Sequence, residues 1–147
     1  MGCLIIAAAI LIAIIAIITA GKKTKTVNIQ TTSSTEQQVS TWETKYGSIV
    51  RAIANDLGNA GNAGSSTVAM GNACQQLEAD VKTAQADPAI PASSIEKNWS
   101  SSLSYLSSGS KDCVQGIENN NQNQINQAGL EFDHGTDALA NATTALR

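Results

Sequence analysis

Cys74 and Cys113 are the side chains of this chain with the most definite chemistry open to them. Two thiols brought together in an oxidising compartment join as a disulfide; in a reducing one they remain small buried hydrophobes. Both fall on the apolar seams of consecutive segments with helical period, so both are expected inside the fold. Counted from Pro88, Cys113 lies farther along its segment than Cys74 does along its own. The extended stretch 87–91 spans roughly 15 Å at about 3.3 Å per residue, which absorbs much of that offset. A Cys74–Cys113 disulfide is the expectation for an exported domain, and two buried free thiols are the competing reading. Cys3 stands apart, at the edge of an apolar run. Met1-Gly2-Cys3 has the look of an acylation signal, but Ile6 stands where that signal needs Ser or Thr. A small residue at a membrane edge is the simpler account of it.

His134 is the only histidine. With Glu131 it makes an i, i+3 pair, and Glu-x-x-His can ligate iron in helical bundles. Such a centre needs a second copy of the motif and further inward glutamates, which the sequence lacks, so the cluster reads as a solvated acidic face. No haem-attachment motif, phosphate loop, nucleophile elbow or zinc spacing occurs. The carboxylates are dispersed, with no partner suited to general acid and base work. The expectation is a non-enzyme without catalytic residues, metal or cofactor. Asn98-Trp99-Ser100 and Asn141-Ala142-Thr143 match the glycosylation pattern, but both fall inside helical segments of a chain rich in Asn, Ser and Thr.

The elements that would position these residues follow from apolar period. Val39, Trp42, Tyr46, Ile49, Ile53, Leu57 and Ala60 recur at spacings of three and four, predicting a helix over about 35–60. Ser34 or Thr35 can cap its start, and Gly58, Gly61 and Gly64 are expected to end it. Thr67, Met70, Cys74, Leu77, Val81 and Ala84 predict a helix over about 66–86, which must stop before Pro88 and Pro91. Ile90, between those prolines, is expected to tuck against the end of the fold. Ile95, Trp99, Leu103 or Ser102, Leu106, Ser110, Cys113 and Ile117 predict a third helix over about 93–117, capped by Ser93 or Ser94. Its Ser- and Gly-rich middle is weak in propensity yet lets a neighbouring backbone come close. After the polar turn 118–123, Ile125, Ala128, Phe132, Gly135, Leu139, Ala142 and Leu146 predict a fourth helix over about 122–146. Four amphipathic helices with short links are most simply an antiparallel four-helix bundle. Five aromatics leave its core to Ala, Ile, Leu and Val, and a thin core gains most from a covalent staple.

Ahead of this all-α body stands LIIAAAILIAIIAIITA, residues 4–20, with no charge and no helix breaker. As a helix the uncharged segment 1–21 reaches roughly 31 Å, about one hydrocarbon thickness. A face that is apolar all round belongs in lipid. A retained transmembrane anchor is the preferred reading, and a cleaved signal peptide with a tolerable site after Ala20 is the alternative. Residues 22–34 read as a polar tether. Its Lys22, Lys23 and Lys25 favour a cytoplasmic body by the positive-inside tendency, against the export that a disulfide requires. We give the cysteines the greater weight. From Thr26 onward six basic residues face twelve acidic ones, a net of −6, which is the wrong sign for a nucleic-acid partner.

Cys74-x-x-Leu77-x-x-Asp80-Val81, then Pro88-x-Ile90-Pro91, Trp99, Leu103, Cys113 and Gly116, resembles a pattern in small exported proteins of actinobacteria. Those proteins carry an N-terminal membrane or lipid anchor, two cysteines and an all-helical body. The likeness covers about residues 71–117. It implies export and a Cys74–Cys113 bond, and it implies no activity. The chain departs from it in having no lipobox before a cysteine. The expected function is a membrane-tethered extracytoplasmic bundle, a non-catalytic structural or binding module at the cell surface. Its partners would be the bilayer through residues 4–20, an unknown protein or cell-envelope polymer, and possible further copies of itself. A pilin-like filament subunit, packing through the N-terminal apolar helix, is the alternative.

Overall fold

The computed structural model describes residues 34–144, and within them every regular element is a helix. The apolar run 4–20, the tether up to residue 33 and Leu146 lie outside the described residues. The helices are α1 (Ser34–Asn62), α2 (Thr67–Ala86), α3 (Ser93–Glu118) and α4 (Gln122–Thr144). Among the described residues no helix is long and apolar enough to cross a membrane.

The expected seams are the buried faces. Ile53, Leu77, Val81, Leu106 and both cysteines are almost wholly enclosed, and Ile90 closes the core from the 87–92 link. Thr67, expected on the α2 seam, is exposed. The links that turn the chain differ in detail from expectation. Gly58 and Gly61 do not end α1; the helix runs through both, and only Gly64 turns left-handed, at φ 58°. Ser66 then caps α2, its side chain accepting the Ala69 N–H. Ser93 and Ser94 are not the cap of α3. That position is Ala92, which has no capping side chain. The Glu96 carboxylate instead reaches back to the Ile90 N–H at 2.7 Å and anchors the link that way. Opposite it, Trp42 of α1 donates its indole N–H to the Pro88 carbonyl, also at 2.7 Å. The α3–α4 turn is shorter than expected, residues 119–121. Asn120 takes the left-handed conformation after the helix end, with Asn121 N–H bonded to Gly116 O and Asn120 N–H to Ile117 O. The Asn121 side chain caps α4 by accepting the Gln124 N–H.

Consecutive helices pack against each other in chain order, and α3 against α4 makes the most extensive contact. Their register is antiparallel: Ser102 donates to the Gly135 carbonyl, Gly109 meets Phe132 and Ala128, and Gly116 meets Ile125. Small residues make this closeness possible. Ser102, Gly109 and Gly116 recur every seven residues on α3; Ala128, Gly135 and Ala142 recur every seven on α4; all six are buried. A Cβ added to Gly116 would stand 2.9 Å from the backbone nitrogen of Ile125. The serine- and glycine-rich middle of α3, costly to helix propensity, is thus the contact surface for α4.

Two apolar clusters fill the interior. The larger gathers Trp42, Ile53, Leu77, Trp99, Leu103 and Leu106 with residues of α4, the two indoles meeting edge to face at 6.1 Å. The smaller surrounds Cys74 and Cys113 with Ala128, Met70, Ile117 and Phe132. The tryptophans therefore sit toward the 87–92 link, and the cysteines toward the opposite end.

Candidate functional site

Cys74 of α2 and Cys113 of α3 face each other with Cα atoms 6.1 Å apart and their sulfurs at disulfide distance. The antiparallel register makes this meeting possible: Gly71 lies opposite Ile117 one turn away. Both cysteines are buried, so the pair acts on the scaffold and is not presented to a substrate.

A second pairing was not foreseen from the sequence. Asp56 of α1 is buried, only 7 % exposed, and its Oδ2 has no hydrogen-bond partner. Across the seam stands Asp80 of α2, half-buried, whose Oδ1 accepts from the Gln76 amide at 3.3 Å. Burial pushes the Asp56 carboxyl up to about 6, with its hydrogen bond to Asp80 and the Asp80 charge adding in the same direction. Burial and the neighbouring acid both disfavour the charged form of Asp56. The signal was present in the spacing. Ile49, Ile53, Asp56 and Ala60 follow the same four-three-four rhythm as the apolar seam, and so do Ala73, Leu77, Asp80 and Ala84. An apolar-only reading of period passed over the two carboxylates inside it.

A crevice of about 250 Å³ lies where α2, the 87–92 link and α3 meet, floored by Trp99 and Leu103 and rimmed by Asp87 and Glu96. Two of its polar groups hold the link, Glu96 on Ile90 and the Pro88 carbonyl on Trp42.

The Glu131–His134 pair is not brought to a shared centre. His134 is exposed and lies beside the Tyr105 ring at 5.3 Å, whereas Glu131 is half-buried, with one oxygen accepting from Gln127 and the other enclosed without a partner. The acidic face is therefore less solvated than expected at Glu131. Among the described residues no group of three or more His, Cys, Asp or Glu could hold a metal ion. Asn98 and Asn141, the two glycosylation-pattern asparagines, both sit within helices, on α3 and α4.

No family model, no curated protein and no solved structure matches this chain.

Proposed function

We propose that the chain is a membrane-tethered extracytoplasmic helical bundle, a non-catalytic structural or binding module at the cell surface. Residues 4–20 supply the transmembrane anchor in this reading, and residues 22–33 hold the bundle off the bilayer. The observation that carries it is the meeting of Cys74 and Cys113 at disulfide distance, since such bonds persist where the compartment is oxidising. The non-catalytic part draws on what the ionisable groups do. Asp56 is withdrawn into a helix–helix seam against half-buried Asp80, and in the crevice at the 87–92 link Glu96 and the Pro88 carbonyl hold the fold. The partner surface would be the acidic, Asn- and Gln-rich exterior.

Protease added to intact cells tests the topology. A C-terminal tag on the full chain is expected to be cleaved without lysis, and the protein is expected to show no titratable thiol at Cys74 or Cys113 when denatured without reductant. A tag protected until the membrane is opened, together with two free thiols, overturns the proposal.

A further inference from the structure

The seam between α1 and α2 holds a buried acid against another acid. Asp56 is the buried one, and no donor reaches its Oδ2. Asp80 is the charged group acting on it from α2. Burial, the hydrogen bond to Asp80 and the Asp80 charge all act on Asp56 in the same direction. Asp80 is half-buried, which leaves the pair a route for proton exchange with solvent. The helix it holds is the one least embedded: α1 packs chiefly on α2, whereas α3 and α4 are locked along small-residue heptads. At its other end α1 is pinned separately, by the Trp42 indole on Pro88 and Trp99.

We propose that Asp56 and Asp80 form a proton-operated latch, closed while they share a proton and loosened when both are ionised, which lets the C-terminal half of α1 part from α2. The step is a proton loss from one carboxyl to water, with no other bond made or broken. Closed, the shared proton gives the otherwise unpartnered Asp56 oxygen a hydrogen bond. Open, two like charges face each other in a desolvated seam, and hydration of the carboxylates favours separation. The direction follows from linkage. The folded Asp56 carboxyl keeps its proton to about pH 6, against an ordinary value of 3.8. The folded seam thus binds more protons than the unfolded chain, and its stability falls as pH rises through that interval. The bundle would carry a segment that is tight in mildly acid surroundings and looser in neutral ones.

Amide hydrogen exchange of the full chain in detergent micelles at pH 5 and pH 8, scaled for the intrinsic rate at each pH, tests the latch. Exchange around residues 50–60 and the facing part of α2 is expected to be up to about tenfold faster at pH 8, with α3 and α4 unchanged, as proton linkage to opening allows. Asp56→Asn, which keeps the shape and cannot ionise, is expected to give equal protection at both pH values. Should that variant fail to fold, Asp80→Asn removes the repulsion and offers Asp56 an amide donor, and it is expected to lessen the dependence, burial of Asp56 remaining. Equal protection of the unaltered chain at pH 5 and pH 8 overturns the proposal, and so does an undiminished pH dependence in the variants.

Discussion

A single missing methyl group decides how near α3 and α4 can come. A Cβ at Gly135 would stand 2.5 Å from Leu106 Cδ2, and one at Gly116 would meet backbone at 2.9 Å. The Ile125 backbone cannot yield without shifting a helix, so Gly116→Ala is expected to destabilise by about 1–3 kcal/mol through overpacking. Gly129, on the same α4 helix, has nothing within 4 Å of its missing Cβ. Gly129→Ala should therefore stabilise, by about 0.5–1 kcal/mol, through helix propensity alone. Urea midpoints of the two variants measure the contrast, and equal shifts of the same sign would dispose of the close-packing account. At this scale the sequence was readable for apolar side chains and not for polar ones. Ile90 was placed correctly because two prolines forced its segment to be extended. Asp56 was missed because burial of a carboxylate depends on what faces it, and the facing residue, Asp80, is another acid on a different helix.

At the scale of elements, period was enough to find all four helices within the described residues, because each carries five or more apolar positions in the three-four rhythm. Their ends were harder. Gly58 and Gly61 looked like terminators, yet a glycine stops a helix only where the chain must turn left-handed, which here is Gly64, and α1 runs on to Asn62. Ser93 and Ser94 offered good capping side chains one and two positions too late; Glu96 does the anchoring from inside the helix. The tight turn after α3 makes its own demand. Asn120 at φ 49° holds the left-handed position, which asparagine tolerates and alanine does not. Asn120→Ala is expected to cost about 1 kcal/mol by that strain, whereas Asn120→Gly should be neutral or slightly stabilising. Thermal denaturation of both variants settles the matter: if alanine is tolerated as well as glycine, the turn is not held by backbone conformation.

At the scale of the whole molecule, the arrangement of the two clusters gives the cysteine pair a defined task. The tryptophan cluster already secures the end beside the 87–92 link, with Trp42 bonded to Pro88 and packed on Trp99. The opposite end has a thinner filling of Met70, Ala128, Ile117 and Phe132 around Cys74 and Cys113. A bond there joins residues 39 apart in sequence, and the link end lies at the far side of the loop it closes. In the chain-entropy picture a closed loop of that length raises stability by roughly 4 kcal/mol, almost all of it by restricting the unfolded chain. For a helical body of this size the corresponding change in melting temperature is on the order of 15 °C. Reduction should therefore lower the melting temperature by about that amount while leaving helix content in the native state nearly unchanged. It should also act unevenly. With the staple open, the ends of α2 and α3 near Cys74 and Cys113 have only small apolar side chains to hold them, whereas Trp42, Trp99 and Leu103 still clamp the other end. Exchange in the reduced protein is expected to rise first around residues 67–77 and 110–118, with the segments about Trp42 and Trp99 protected to near the global limit. Uniform loss of protection along the bundle would show instead that the two clusters form one cooperative core, in which the cysteine pair adds stability without dividing the molecule.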